Sequence, residues 1–73
     1  MDKEVLKQVF AENLKRYMKR DDRTQAELAE KSGVTIGLIS AYENGRRMPN
    51  AYTLWRLADA LDCKVDQLYR GIR

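Results

Sequence analysis

Four side chains that can donate hydrogen bonds to phosphate oxygens fall within residues 25–47 of this 73-residue chain: Gln25, Asn44, Arg46 and Arg47. Gln25 follows Thr24, a typical helix N-cap, so it is expected at the start of a helix, where unpaired backbone N–H groups and the helix dipole favour an anion. The other three follow the next predicted helix. The spacing favours contacts with phosphates, although the two arginines have the alternative of being solvated loop charges.

Two short helices are predicted to position these residues. Thr24 and Glu27 have the spacing of a capping box, which predicts a helix beginning at Gln25 and ending near Gly33. The residues expected on its apolar face are Ala26, Leu28 and Ala29. Thr35 is a second N-cap, and the helix after it is expected to end at Asn44. Two helices joined by a short turn with Gly, over residues 24–45, predict a helix-turn-helix whose second helix enters the DNA major groove.

The second of these helices has a predicted outward arc. With Ile39 taken as the inward direction and about 100° per residue, the residues expected to face outward are Gly37, Ser40, Ala41 and Asn44. Candidate contacts to bases and groove are Thr35, Ile36, Gly37, Ser40 and Ala41. Among these, Thr35 and Ser40 can form short hydrogen bonds and Ile36 can touch a thymine methyl group.

Three segments of the chain also resemble a known family. TQAELAEKSGV (24–34), ENGRR (43–47) and TLWRLADAL (53–61) are similar to the lambda-repressor-like, or Cro/Xre-type, helix-turn-helix domain, and the likeness runs from about Phe10 to Tyr69. The resemblance implies a compact five-helix domain that binds specific DNA sequences as a dimer and usually represses transcription. It also implies a phosphate contact for Gln25.

The chain departs from the family pattern on the reading helix. Family members often carry longer polar residues at the positions matching Ile36, Gly37, Ser40 and Ala41, and three interpretations follow. In the first, sequence specificity comes from methyl contacts and DNA shape. In the second, it comes from flanking residues such as Lys31, Arg46 and Arg47. In the third, the helix binds a protein instead of DNA.

A second departure concerns the acid that faces inward on the reading helix. Many family members pair the residue matching Glu43 with an arginine of the first helix, where this chain has Met18. We expect Glu43 to pair instead with Arg23, with Arg47 or with a neighbouring basic residue of the first helix. The alternative is that Glu43 remains more hydrated.

The rest of the chain predicts three more helices and an all-α fold. Asp2 caps a first helix to about Lys19, Asn50 caps a helix over about 51–61, and a short helix over about 65–69 closes the core. Residues 1–73 are expected to form a single domain, since a chain of this length supports one small core.

Charge and composition narrow the function classes. The net charge is +3 and no third of the chain exceeds +1, so phosphate binding must come from local placement. With no His, one Cys and no Gly-rich phosphate loop, we expect no enzyme, metal, cofactor or small-molecule ligand. Cys63, in an apolar pattern, is expected to be a buried thiol. No signal peptide or membrane segment is recognised, so a cytoplasmic location is expected.

Trp55 occupies a position that the family usually leaves polar. It is expected either to lie over the edge of the core or the N-terminal extension, or to form a dimer contact with Tyr69 and Ile72. The favoured function is a dimeric DNA-binding transcriptional regulator, more a repressor than an activator. The alternative is a protein-interaction or antitoxin-like module that uses the same fold.

Overall fold

The computed structural model describes residues 2–71, and Ile72 lies outside them. Helix α1 spans Lys3–Arg20, α2 Gln25–Ser32, α3 Ile36–Glu43 and α4 Ala51–Ala60, and a 3-10 helix spans Val65–Tyr69. Within the described residues every regular element is helical. The expected fifth helix is therefore a 3-10 helix, as its i→i+3 bond from the Gln67 N–H to the Lys64 carbonyl oxygen shows (3.0 Å).

Side-chain caps set the start of each α-helix. The Thr24 hydroxyl accepts from the Glu27 N–H (3.1 Å) while the Thr24 N–H donates to the Glu27 carboxylate (2.8 Å). In α1, α3 and α4 the side chains of Asp2, Thr35 and Asn50 each accept from one backbone N–H of the first turn. Each satisfies a backbone N–H that has no partner within its helix. The predicted N-termini are thus confirmed, because a cap depends on residues only two or three positions apart.

The core lies where the five helical elements meet. Its largest fully buried side chains are Phe10, Leu14, Leu28, Ile39, Leu57, Leu61 and Leu68. The Phe10 ring meets the Tyr42 ring edge-on at 5.7 Å and stacks with the Tyr69 ring at 5.5 Å. The predicted apolar face of α2 is wrong at Ala26, which is exposed, because α2 packs on α3 and α4 through Leu28.

A buried amide, which the sequence did not predict, joins α1 to the C-terminal segment. Asn13 is only 2% exposed, and its Nδ2 donates to the carbonyl oxygens of Leu68 (3.0 Å) and Arg70 (2.9 Å). Both carbonyl groups lie at the C-terminal end of the 3-10 helix, where no following helical turn supplies backbone N–H donors. Asn13 therefore satisfies the polar backbone where the chain leaves the core.

Cys63 is half-buried and packs against the core, so it is less enclosed than expected. Loss of hydration raises the pKa of its thiol. In residues 2–71 no helix combines the length and apolar character needed to cross a membrane.

Candidate nucleic-acid interface

A tight turn fixes α3 relative to α2. Gly33 has φ +76°, a left-handed conformation that favours glycine, and the Val34 N–H donates to the Ser32 hydroxyl (3.1 Å). Val34 is buried, and the Arg56 guanidinium of α4 lies directly against Gly33. The turn is therefore held from both the core and the α4 side, which gives α3 a defined angle.

The outer surface of α3 is open. Thr35, Ile36 and Gly37 are exposed, Ile36 to 49%, and Ser40 is half-buried. A Cβ atom placed on Gly37 would meet no heavy atom within 4 Å apart from its chain neighbours and the nearby backbone of its own helix. We call Ile36, Gly37, Ser40 and Asn44 the exposed arc of α3. It offers a helix backbone that another molecule can approach closely.

Ala41 is not part of this arc, so the predicted outward direction is wrong at this residue. Ala41 is only 8% exposed, whereas Ile36, expected on the flank, is open. At 100° per residue the centre of the exposed arc is displaced by about 35° from its predicted position, towards Ile36. The reason is that α3 packs on both α1 and α2, which buries a wider and differently centred arc than Ile39 alone indicates. Ala41 is therefore corrected from a groove residue to a buried one.

Gln25 and Glu43 bring the start of α2 to the end of α3. The Gln25 Nε2 donates to the Glu43 Oε1 at 3.0 Å, and both residues are half-buried. In the described part of the chain neither Arg23 nor Arg47 ion-pairs with Glu43. The partner of Glu43 is thus the neutral amide of Gln25 and not one of the predicted basic residues. No local signal could have indicated it, because the two residues are 18 positions apart.

Asn44 is exposed, but its amide group is turned back towards its own helix. Its Nδ2 donates to the Ser40 carbonyl oxygen (2.9 Å) and lies 3.4 Å from the Ser40 hydroxyl. Arg46 and Arg47 follow in the loop, both exposed, and within residues 2–71 neither forms an ion pair. The loop turns at Gly45, where φ is +69° and the Gln8 side chain packs against the backbone. The two free positive charges therefore lie just beyond the end of α3.

The three residues considered for a dimer contact have different environments. Trp55 is 57% exposed, whereas Tyr69 is half-buried against Phe10 and its burial raises the pKa of its hydroxyl. Ile72 lies beyond the described residues. Tyr52, one turn before Trp55, is 65% exposed, and its ring lies 5.2 Å from the Arg56 guanidinium carbon. Trp55 and Tyr52 are therefore the large apolar side chains that α4 leaves exposed.

No pocket and no group of His, Cys, Asp or Glu able to hold a metal ion occurs among residues 2–71.

The sequence of this chain matches a known protein family and several of its members. The sequence model of a helix-turn-helix family matches residues 14–68. An uncharacterised HTH-type transcriptional regulator of Bacillus subtilis, YqaE, is 40% identical over 63 residues, which are 86% of this chain and 54% of that protein. The Vibrio cholerae protein RstR, named a cryptic phage CTXphi transcriptional repressor, is 33% identical over 57 residues, or 78% of this chain and 51% of its own length.

A solved structure has the same fold. The crystal structure of a helix-turn-helix family transcriptional regulator from Vibrio cholerae superposes with a TM-score of 0.89 at 24% identity, covering 93% of this chain and 38% of that one. The chain spans about half the length of the curated relatives it matches.

Proposed function

This chain belongs to the helix-turn-helix family, and on that premise we propose that it is a transcriptional regulator that binds specific sequences of double-stranded DNA. Residues 35–44 lie in the major groove. The observation that carries the proposal is the exposed arc of α3, on which only Ser40 is half-buried among the four residues. The Gln25–Glu43 bond joins α3 to the start of α2. Such a helix, presented by a rigid turn, suits a major groove about 12 Å wide.

Phosphate contacts are proposed where the start of α2 meets the end of α3. Gln25 lies at the N-terminus of α2, where the helix dipole favours an anion, and Arg46 and Arg47 carry free charges beyond α3. Asn44 lies between them. These residues position the protein on the duplex, whereas contacts to base edges select the sequence.

Base contacts are proposed for Thr35, Ile36, Gly37 and Ser40. Thr35 and Ser40 supply hydroxyl groups, and Gly37 allows the backbone to approach. We propose binding rather than catalysis as the activity, in the cytoplasm, by a single domain formed by residues 1–73.

The proposed regulator is a repressor that acts as a homodimer. The relative RstR is named a repressor. A dimer would place two copies of α3 in successive major grooves about 34 Å apart. The exposed Trp55 is the proposed anchor of the dimer, with Tyr69 at its edge and Ile72 as a further contact.

Selection of bound duplexes from a random pool, followed by footprinting and a salt series, tests DNA recognition. We expect one enriched sequence, bound far more tightly than random DNA at the same salt concentration. Equal affinity for selected and random duplexes would contradict the proposal.

Sedimentation at several concentrations tests the dimer. We expect wild type to associate, Trp55→Ala to sediment as a monomer, and Val65→Ala, which truncates another exposed apolar residue, to resemble wild type. A monomeric wild-type protein at every concentration would contradict the interface.

The second candidate is a protein-interaction or antitoxin-like module. It is favoured by the absence of Arg, Lys and Gln from positions 35–44, which leaves few long donors for base edges. Co-purification with a partner protein at equal stoichiometry, together with no selection of DNA, would support it.

A further inference from the structure

The exposed arc of α3 carries one large apolar side chain, Ile36. It is 49% exposed and follows directly after the capping residue Thr35. In the described residues the other exposed large hydrophobic side chains lie outside positions 24–45: Val5, Tyr52, Trp55 and Val65. Single apolar residues are common on protein surfaces, so exposure alone assigns no role. The residues around Ile36 provide the evidence for a role.

The neighbours of Ile36 on this arc are short or already hydrogen-bonded. Gly37 has no side chain and open space around it. The Thr35 hydroxyl oxygen accepts from the Leu38 N–H (3.2 Å), and Asn44 donates to the Ser40 carbonyl oxygen. Ile36 therefore lies beside the open backbone at Gly37, and it is the large apolar side chain that a molecule docking on this arc would contact.

The edges of the bases offer one apolar group in the major groove. Thymine presents its 5-methyl group there, while the other groups are hydrogen-bond donors and acceptors. A branched aliphatic side chain cannot pair with those polar groups, and burying them against it without a hydrogen bond is unfavourable. The methyl group is thus the feature that Ile36 complements.

Resting on the proposed DNA binding, we propose that Ile36 is a specificity-determining residue of this surface and contacts the 5-methyl group of a pyrimidine. In unmodified DNA that pyrimidine is thymine. The recognised group is the methyl rather than the base, so 5-methylcytosine at the same position offers the same contact.

Replacement of single thymines by deoxyuridine tests the contact directly, because it removes only the methyl group. The selected duplex is scanned one thymine at a time with the wild-type chain. We expect at least one replacement to weaken binding about fourfold, the effect of one buried methyl group. At the same position, 5-methylcytosine should bind about fourfold more tightly than cytosine.

Two variants assign the effect to the residue. Ile36→Ala should bind the thymine and uracil duplexes equally, and the cytosine and 5-methylcytosine duplexes equally. Val65→Ala is the matched control and should keep the wild-type sensitivity. Circular dichroism checks that α3 is intact, which is expected because alanine has the higher helix propensity.

The results that overturn this inference are distinct from those that overturn the proposed function. A selected sequence bound tightly, with no replacement by uracil weakening it, would refute the role of Ile36 and leave the regulator intact. A sensitivity to uracil that persists in Ile36→Ala would do the same. If no sequence is selected, the proposed function fails and this inference with it.

Discussion

The side-chain amide of Gln25 donates to the carboxylate of Glu43 at 3.0 Å and so joins the first residue of α2 to the last residue of α3. The bond places a negative charge beside a residue proposed to bind phosphate. It also orients the Gln25 side chain without a cation. At this end of the surface the Gln25 donor is held in position, but the negative charge of Glu43 repels a phosphate. The free positive charges of Arg46 and Arg47 counteract that repulsion.

Removal of the Glu43 charge is expected to strengthen DNA binding. Glu43→Gln keeps an oxygen that can accept from Gln25, and at low salt it should bind DNA about fivefold more tightly, because one unit of repulsion at close range is lost. The gain should shrink as salt screens the charge. Titrations at several salt concentrations measure it, with the exposed Glu30→Gln as control. Weaker binding by Glu43→Gln would mean that the carboxylate is needed to hold Gln25.

The substitution Gly37→Ala is expected to stabilise the fold and to weaken DNA binding. Gly37→Ala adds a methyl group in open space within a helix, so the free energy of unfolding should rise by about 0.5–1 kcal/mol. The same methyl group should weaken DNA binding by obstructing the backbone's approach to the groove. Urea denaturation and a binding titration measure the two effects.

Gly33 provides the matched control for this glycine. Gly33→Ala should destabilise the fold, because φ is +76° there and the Arg56 guanidinium occupies the space of the new atom. If Gly37→Ala left DNA affinity unchanged, close approach at Gly37 would be refuted.

Loss of the Asn13 amide is expected to destabilise the chain by about 2 kcal/mol. Asn13→Ala leaves the carbonyl oxygens of Leu68 and Arg70 without their donor in a buried site. Asn13→Asp should cost more, since it sets carboxylate oxygens against those carbonyl groups. Urea denaturation measures both, with the exposed Lys15→Ala of the same helix as control. An Asn13→Asp variant as stable as wild type would show that these bonds contribute little.

The capping box of α2 is expected to give a pH-dependent contribution to stability. The hydrogen bond from the Thr24 N–H lowers the pKa of Glu27 in the folded chain, so its carboxylate stabilises the fold above the ordinary glutamate pKa of about 4.3. That stability should be lost as pH falls through the lowered folded-state pKa.

Thermal unfolding of wild type and Glu27→Gln between neutral and acidic pH tests the contribution of Glu27. The variant should lose less stability on acidification, because its amide does not titrate. Some acid sensitivity should remain, since Arg20 also lowers the pKa of Asp21. Identical pH profiles for the two proteins would contradict the assignment.

The arginines after α3 are expected to act on the salt dependence of binding. Each phosphate contact contributes about 0.9 to the slope of log K against log salt. Arg46→Ala and Arg47→Ala should each reduce the slope by about that amount and weaken selected and random DNA alike. Lys3→Ala, outside the helix-turn-helix, is the control. An unchanged slope would mean that the arginines are solvated loop charges.

The sequence by itself determined the starts of the helices and the family. Thr24 with Glu27, and the caps Thr35 and Asn50, act through hydrogen bonds between residues three positions apart, so the pattern of residue types was sufficient. The predicted ends of α2 and α3 were also confirmed, since Gly33 leaves α2 in a left-handed conformation and Asn44 follows the last residue of α3.

Tertiary structure alone decided which arc of α3 is open and which residues far apart in the sequence are joined by hydrogen bonds. Ala41 is buried and Ile36 exposed because α3 packs on two helices at once, whereas helical periodicity counted from Ile39 assumes a single inward direction. The Gln25–Glu43 bond and the buried Asn13 join residues 18 and 55 or more positions apart. Such contacts depend on how whole helices pack, and no local pattern of residues contains that information.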